Sequence, residues 1–334
     1  MTRRTVLLAI IASAAITAGA QTNLVPFFDD PTYGRTEPVD PPWFVHNDGQ
    51  PSKLYRNGVY QSSETGTNDL NLWRAWEVQS AGAKVGVVDI SSHGQRVKAL
   101  VSTVSPWCTV YYHEVSRTYS DVVADAIMDC LSNQCRVIVI TTGYSTGDAL
   151  LSNACVSASL SNAVIVCSVP NTDGNLDGAM VDYPYAWRFG NVLGATSTDR
   201  NGNHYSPSGT GTNAVGAPGR NIVAAGTYSS GTSYAAPILA GCVSLLAGRF
   251  PCQSAEAYST AIKLSAEPVS RRVNVVRSFE VVHPVVALVD GCPVVYGLPG
   301  WNYITQWSAD LVTWQDGEPS ALLDGACFYR AMVP

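Results

Sequence analysis

Charge is scarce in this 334-residue chain: only 14% of residues are Asp, Glu, Lys or Arg, and the formal net charge is −6. No cluster of Lys and Arg stands out, so the electrostatic footprint of a nucleic-acid binder is missing. Beyond the first twenty residues no apolar run reaches the length of about 20 residues that a bilayer-spanning helix needs. The nine cysteines form no CxxC pair and no Cys/His spacing that would hold zinc. Fixed-period repeats and long low-complexity tracts are absent as well. What is abundant is apolar side chain, 46% of residues, the composition of a well-buried globular core.

The first twenty residues do not read as part of that core. Arg3 and Arg4 precede VLLAIIASAAITAG, and Ala18-Gly19-Ala20 follows as a small-residue cleavage site. This is the pattern of a secretory signal peptide, and it is too short for a membrane anchor. The sequence therefore predicts a secreted or extracytoplasmic protein, with residues 1–20 removed. Cysteine usage fits an oxidising compartment. The odd count leaves at least one thiol unpaired within the chain, and connectivity is not readable from spacing. Cys130 and Cys135, and Cys292 and Cys327, are candidate pairs. Cys155, Cys167 and Cys242 lie in apolar segments and read as packed thiols.

Residues 21–60, rich in Pro, Asp, Asn and Gly, read as an N-terminal extension. From residue 61 strand-like and helix-like patterns alternate. AKVGVV (83–88) is a strand. Val97, Leu100, Val101 and Val104 follow at helical spacing, and Pro106 ends that helix. CTVYYHEV (108–115), RVIVIT (136–141) and AVIVCSV (163–169) are further strands. Between them, Ser120 is expected to cap a helix burying Val123, Ile127 and Leu131. Asp148 opens another with Leu151, Ala154, Cys155 and Ala158 inward. Such alternation predicts an α/β fold, an open, mostly parallel sheet with helices on both faces. Its ligands belong at the carboxyl ends of the strands. Asp89, Thr141-Thr142-Gly143 and Asn171 all fall at such ends.

SSGTSYAAPILAG (229–241) carries the sharpest chemistry. Read alone, Thr232 or Ser233 is a helix N-cap. Read as G-T-S-x-A-x-P, the string resembles the nucleophile motif of the subtilisin-like serine proteases, the subtilases. Six further segments resemble that family in order: AKVGVVD, HGQRVKALV, RVIVITTGY, VIVCSVPNTDG, VDYPYAWRFGNVLGATSTDRNG and AVGAPG. The resemblance covers about residues 65–280. It implies a subtilisin-like fold and a secreted serine endopeptidase. Ser233 is then the nucleophile, His93 the general base, Asp89 the residue orienting the imidazole, and Asn171 the oxyanion donor. Thr141, Thr142, Gly143 and Thr232 are implied to bind the peptide substrate. A catalytically inactive binding protein on the same fold is the alternative.

The residue types suit the chemistry. A serine hydroxyl needs a base to take its proton. Histidine titrates near neutrality and can return that proton to the leaving amine. A buried carboxylate fixes the tautomer. Only Ile90, Ser91 and Ser92 separate Asp89 from His93, a shorter segment than the family usually has. Four chain steps reach at most roughly 13–14 Å, so a tight strand-to-helix turn can still join the two side chains. The shortening is expected to remove an edge strand and open one side of the cleft. The other histidines have plainer readings: His46 and His204 in loops, His113 inside a strand, His283 past the catalytic region. The acidic run TDGNLDG (172–178) reads as a polar turn, since an EF-hand calcium loop needs a longer ligand pattern. No metal and no cofactor is implied, and the expected partners are polypeptide substrates.

The catalytic domain is thus placed at 61–280, and RRVNVVRSF (271–279) resembles its closing segment. Residues 281–334 read as a small β-rich C-terminal module, with Cys292–Cys327 as a candidate staple. Trp301, Tyr303, Trp307 and Trp314 form either its core or a carbohydrate- or surface-binding face.

Overall fold

A computed structural model describes residues 44, 70, 72, 75–76, 81–178, 180–225, 227–267 and 271–281, and strand backbone at both ends of the chain. The strands are β1 Ser52–Arg56, β2 Val59–Glu64, β3 Val85–Asp89, β4 Val110–Glu114, β5 Val137–Ile140 and β6 Val164–Ser168. They continue with β7 Gly174–Asn175, β8 Val192–Thr198, β9 Gly209–Thr210, β10 Ala214–Pro218, β11 Ile222–Ala224 and β12 Thr227–Ser229. The last are β13 Val285–Val289, β14 Cys292–Tyr296, β15 Ile304–Ser308, β16 Gln315–Asp316 and β17 Phe328–Met332. The helices are α1 Ser91–Val104, α2 Ser120–Ser132, α3 Ala149–Leu160, α4 Thr232–Arg249, α5 Ala255–Ser265 and α6 Val275–Val281.

Six strands form the central sheet in the order β10-β8-β6-β5-β3-β4, every neighbouring pair parallel. Strands β3, β5, β6, β8 and β10 are buried along their whole length. That explains their near-continuous apolar runs, because a parallel sheet is covered on both faces. Alternate residues part company across the sheet. Val137, Val139, Val164 and Val166 pack with residues of α1, α4 and α5. Ile138, Ile140, Ile165 and Cys167 pack with residues of α2 and α3. The expected open parallel sheet with helices on both faces is what the structure shows.

The helical expectations hold in register. Helix α1 buries Val97, Leu100, Val101 and Val104, and α3 buries Leu151, Ala154, Cys155 and Ala158 under an Asp148 cap. The Asp148 carboxylate accepts from the N–H groups of Leu150 and Leu151. Helix α2 differs from its expectation. Tyr119 stands at the cap with no side-chain bond, and Ser120 is the first helical residue. Cys130, seven residues after Val123, turns inward where Leu131 was expected, and Leu131 is only half-buried.

Helix α4 is buried almost all round, as an Ala-, Ile- and Leu-rich helix at the centre of a core must be. It crosses α1 at close quarters. A Cβ at Gly241 would lie 2.5 Å from the Cβ of Val104, so only glycine permits this approach. Since α1 carries His93 and α4 carries Ser233, that crossing sets how the two meet.

Cysteines 108, 130, 135, 155, 167, 242 and 252 are free thiols. Cys155, Cys167 and Cys242 are fully buried, as expected, and burial pushes the Cys155 and Cys242 thiols up to about 12. Cys130 and Cys135 close one turn through a Cys135 N–H to Cys130 carbonyl bond of 3.0 Å. The hydrogen bond between their thiols and burial hold Cys130 far above its ordinary range. The candidate pair Cys292–Cys327 lies outside the described residues, as do the side chains of Trp301, Tyr303 and Trp314, residues 1–20 and residues 21–43. At the C-terminal end β13 pairs with β14, and β15 lies between β16 and β17, all antiparallel. Among the described residues no helix is long and apolar enough to cross a membrane.

Candidate active site

The chain runs from β3 outward to β4 and then returns across β3 to β5. The reversal between β3 and β5 opens a crevice beyond their carboxyl ends. Asp89 is the last residue of β3, and Thr141 directly follows β5. The Thr141 hydroxyl donates to Asp89 Oδ2 at 2.6 Å, bridging the crevice floor. The residue was expected to face substrate. Its hydroxyl is engaged by the carboxylate, a pairing invisible in sequence because the two residues belong to separate strand ends.

The short segment after Asp89 resolves into a direct strand-to-helix passage. Only Ile90 lies between β3 and α1, and it occupies the N-cap position in an extended conformation. Its N–H donates to Asp89 Oδ1 at 2.7 Å. Ser91 starts the helix, which puts His93 in the first turn, four residues after the carboxylate. The imidazole Nδ1 then lies 2.7 Å from Asp89 Oδ2. Tyr112, on the neighbouring strand β4, donates its hydroxyl to the Ser91 carbonyl at 3.0 Å and packs on Gly94. Asp89 is only 4% exposed, so its charge is compensated by three donors: Ile90 N–H, Thr141 O–H and His93 Nδ1–H. A carboxylate accepts and does not donate, so Nδ1 carries the proton and Nε2 is left as the acceptor.

That Nε2 lies 3.3 Å from Ser233 Oγ, across 140 residues of chain. Ser233 is the second residue of α4, held there by an unusual cap. Gly231 has φ 141° and ψ 168°, a region essentially closed to other residues, and a Cβ there would stand 3.1 Å from Asn171 Oδ1. Gly231→Ala is therefore expected to cost about 1–3 kcal/mol of stability, measured by chemical denaturation. The ring of Tyr234 lies 5.4 Å from that of His93, and the Arg96 guanidinium sits 5.8 Å over Tyr234.

Thr232 sits elsewhere than expected. It was expected to bind substrate, but it is fully buried, and its hydroxyl donates to the Val169 carbonyl at 2.5 Å. Its N–H donates to Asn171 Oδ1 at 3.0 Å. The same bond orients Asn171: with Oδ1 turned to Thr232, Nδ2 faces away and is paired with no described acceptor. Asn171 itself is exposed, beyond the end of β6. The Ser233 N–H is a first-turn donor without an intrahelical partner. Pro170 does not prevent Asn171 from reaching the α4 terminus.

Two other histidines and the acidic turn are held in structural pairs. His113 Nδ1 lies 2.7 Å from Asp129 Oδ2 on the far edge of the sheet. His204 is a loop residue 3.8 Å from Asp173. Asp173 accepts from Ser206 Oγ and the Ser208 N–H, and the first of these bonds chiefly holds its carboxyl below the usual range. Asp177 accepts from the Thr212 N–H at 2.6 Å, tying the acidic turn to its neighbour. His46 and His283 lie outside the described residues.

The comparisons with known proteins point one way. The subtilase family matches residues 81–282. Subtilisin DY of Bacillus licheniformis is 29% identical over 187 residues, covering 50% of this chain and 67% of the relative. Among solved structures, the prenylagaramide maturation protease PagA superposes with a TM-score of 0.54 at 19% identity, over 63% of this chain and 97% of its own. The nisin leader peptidase NisP of Lactococcus lactis superposes with a TM-score of 0.55 at 16% identity, over 62% and 90%. At such identities the superpositions speak for the fold, and the family match speaks for the chemistry. This chain belongs to the subtilase family and is a serine-type endopeptidase.

Proposed function

We propose that the protein is an exported endopeptidase that cuts polypeptides through an acyl-enzyme formed at Ser233. The observation that carries this reading is the unbroken chain from Asp89 Oδ2 through His93 to Ser233 Oγ, with contacts of 2.7 and 3.3 Å. The peptide lies along the main chain of Thr141, Thr142 and Gly143. Ser233 Oγ attacks the scissile carbonyl carbon while its proton passes to His93 Nε2. The tetrahedral oxyanion receives hydrogen bonds from Asn171 Nδ2 and the Ser233 N–H. Collapse breaks the C–N bond, and the imidazolium gives its proton to the departing amine. Water then repeats the sequence, with His93 again as base, and frees the acid product. Asp89 stays ionised throughout and steadies the imidazolium.

A fluorophosphonate probe tests this directly. The wild-type protein labels covalently on Ser233, and Ser233→Ala does not. Absence of wild-type labelling would favour the inactive binding protein, for which no observed distance argues. A second outcome concerns the oxyanion. Asn171→Ala is expected to lower kcat by about 10²–10³-fold with KM little changed, the size seen when one such donor is removed from a related subtilisin. Steady-state kinetics on one peptide substrate decides it.

Export rests on the signal-like residues 1–20, and the adjacency of Cys130 and Cys135 fits it. In an oxidising compartment these thiols join as a disulfide, which intact-mass measurement before and after reduction detects.

A further inference from the structure

One carboxylate near the cleft takes no part in the chemistry so far. Asp182 is 7% exposed, and its Oδ2 is buried without a hydrogen-bond partner among the described residues. Burial alone pushes its carboxyl up to about 7, with no cation among the described residues opposing the effect. Asp89, by contrast, has all three of its donors in place. Leaving a buried acid uncompensated is costly, and such groups mark places where an external partner completes the pairing.

Its position says what that partner is. The Tyr144 N–H donates to the Tyr183 carbonyl at 3.0 Å, and the Tyr183 N–H returns a bond to Tyr144 at 2.8 Å. This bridge clamps the Asp182 segment alongside Thr141–Gly143. A Cβ at Gly143 would fall 2.1 Å from Asp182 Oδ1, so the carboxylate stands directly against that backbone, in space that only a glycine leaves open. On the sheet side lies buried Cys167 of β6, close enough to feel the Asp182 charge. Tyr183, next in sequence, packs with Trp187 against Gly147, their ring centroids 4.8 Å apart. The carboxylate thus stands against the segment that follows β5 and near β6, beside the stretch along which substrate is proposed to lie.

We propose that Asp182 is a specificity-determining residue that selects substrates with Lys or Arg immediately before the scissile bond, its unpartnered carboxylate beside Gly143 pairing with the side-chain cation. The inference rests on the peptidase reading above and names its substrate class. A carboxylate at the bottom of the specificity pocket is how an unrelated serine protease fold makes the same choice. Pairing with a buried charge is strong enough for large discrimination, because the losing substrate leaves the acid unpaired.

The test uses peptides that differ only in the residue before the cleavage point, Arg, Lys, Leu or Phe. The wild-type protein is expected to favour Arg and Lys by about 10²-fold or more in kcat/KM. Asp182→Asn, which keeps the shape and removes the charge, is expected to lose that preference while labelling with the fluorophosphonate at a similar rate. Equal wild-type rates on Leu and Arg, or an unchanged preference in Asp182→Asn, would overturn the proposal. Benzamidinium separates this failure from failure of the peptidase reading. It is expected to raise the melting temperature of the wild-type protein and not that of Asp182→Asn, whether or not either variant turns over. An equal shift in both, or none in the wild type, overturns the pairing.

Discussion

Ser233→Ala is expected to lower kcat by about 10⁶-fold on a peptide substrate, with the fold and KM nearly unchanged. Removal of the nucleophile in a related subtilisin has an effect of about that size, and the residue left behind catalyses little better than binding and oxyanion contacts allow. Among the described residues no second nucleophile faces His93 Nε2. His93 Nε2 faces Ser233 Oγ at 3.3 Å, and the neighbouring hydroxyl of Thr232 is buried on the Val169 carbonyl. Losing one half-buried hydroxyl at a helix start, where Gly231 already provides the cap, leaves α4 intact. Unfolding curves of the variant should therefore match those of the wild type. A loss of less than about 10²-fold would mean that another group attacks the carbonyl, and the Ser233 assignment would be abandoned.

Asp89→Asn is expected to lower kcat by about 10⁴-fold, the effect of the equivalent change in serine proteases of another fold. The cause here is read from the bonds. Asp89 Oδ1 accepts from the Ile90 N–H at 2.7 Å, so an asparagine keeps its oxygen there. Its NH₂ then replaces Oδ2, facing the His93 Nδ1–H at 2.7 Å and the Thr141 hydroxyl at 2.6 Å. Donor meets donor. The imidazole answers by moving its proton to Nε2, where it can no longer accept from Ser233. The geometry survives and the base does not. A rate within tenfold of the wild type would show that the carboxylate does not set the tautomer. Thr141→Val offers a smaller companion change: removing one of three donors from a buried carboxylate should weaken the positioning of Asp89 while its bond to His93 remains.

Much of this was legible in the linear chain. The runs VIVI and VIVCS announce strands covered on both faces, because a parallel sheet under two helical layers has no polar side to show. The spacing of Val97, Leu100, Val101 and Val104 fixes the inward face of α1, and G-T-S-x-A-x-P marks the start of α4. Asp89 and His93 belong together at a helical spacing of four, so even their pairing is a local property once α1 is known to begin at Ser91. The misplaced details are those where two positions compete for one face. Cys130 took the inward place from Leu131, and Gly231 took the cap from Thr232, because the φ of 141° at that position excludes a side chain.

The sequence by itself determined the elements, their order and the residue types that carry the chemistry, since these follow from local periodicity and from motifs within a few residues. Tertiary structure alone decided which groups meet. It turned Thr141 onto Asp89, used Thr232 to orient Asn171, and set the bare carboxylate of Asp182 against Gly143. It also brought His93 to Ser233 through the close crossing of α1 and α4 at Gly241. Each of these contacts joins segments far apart in the chain, and its geometry depends on how helices and strands pack, which no local pattern records.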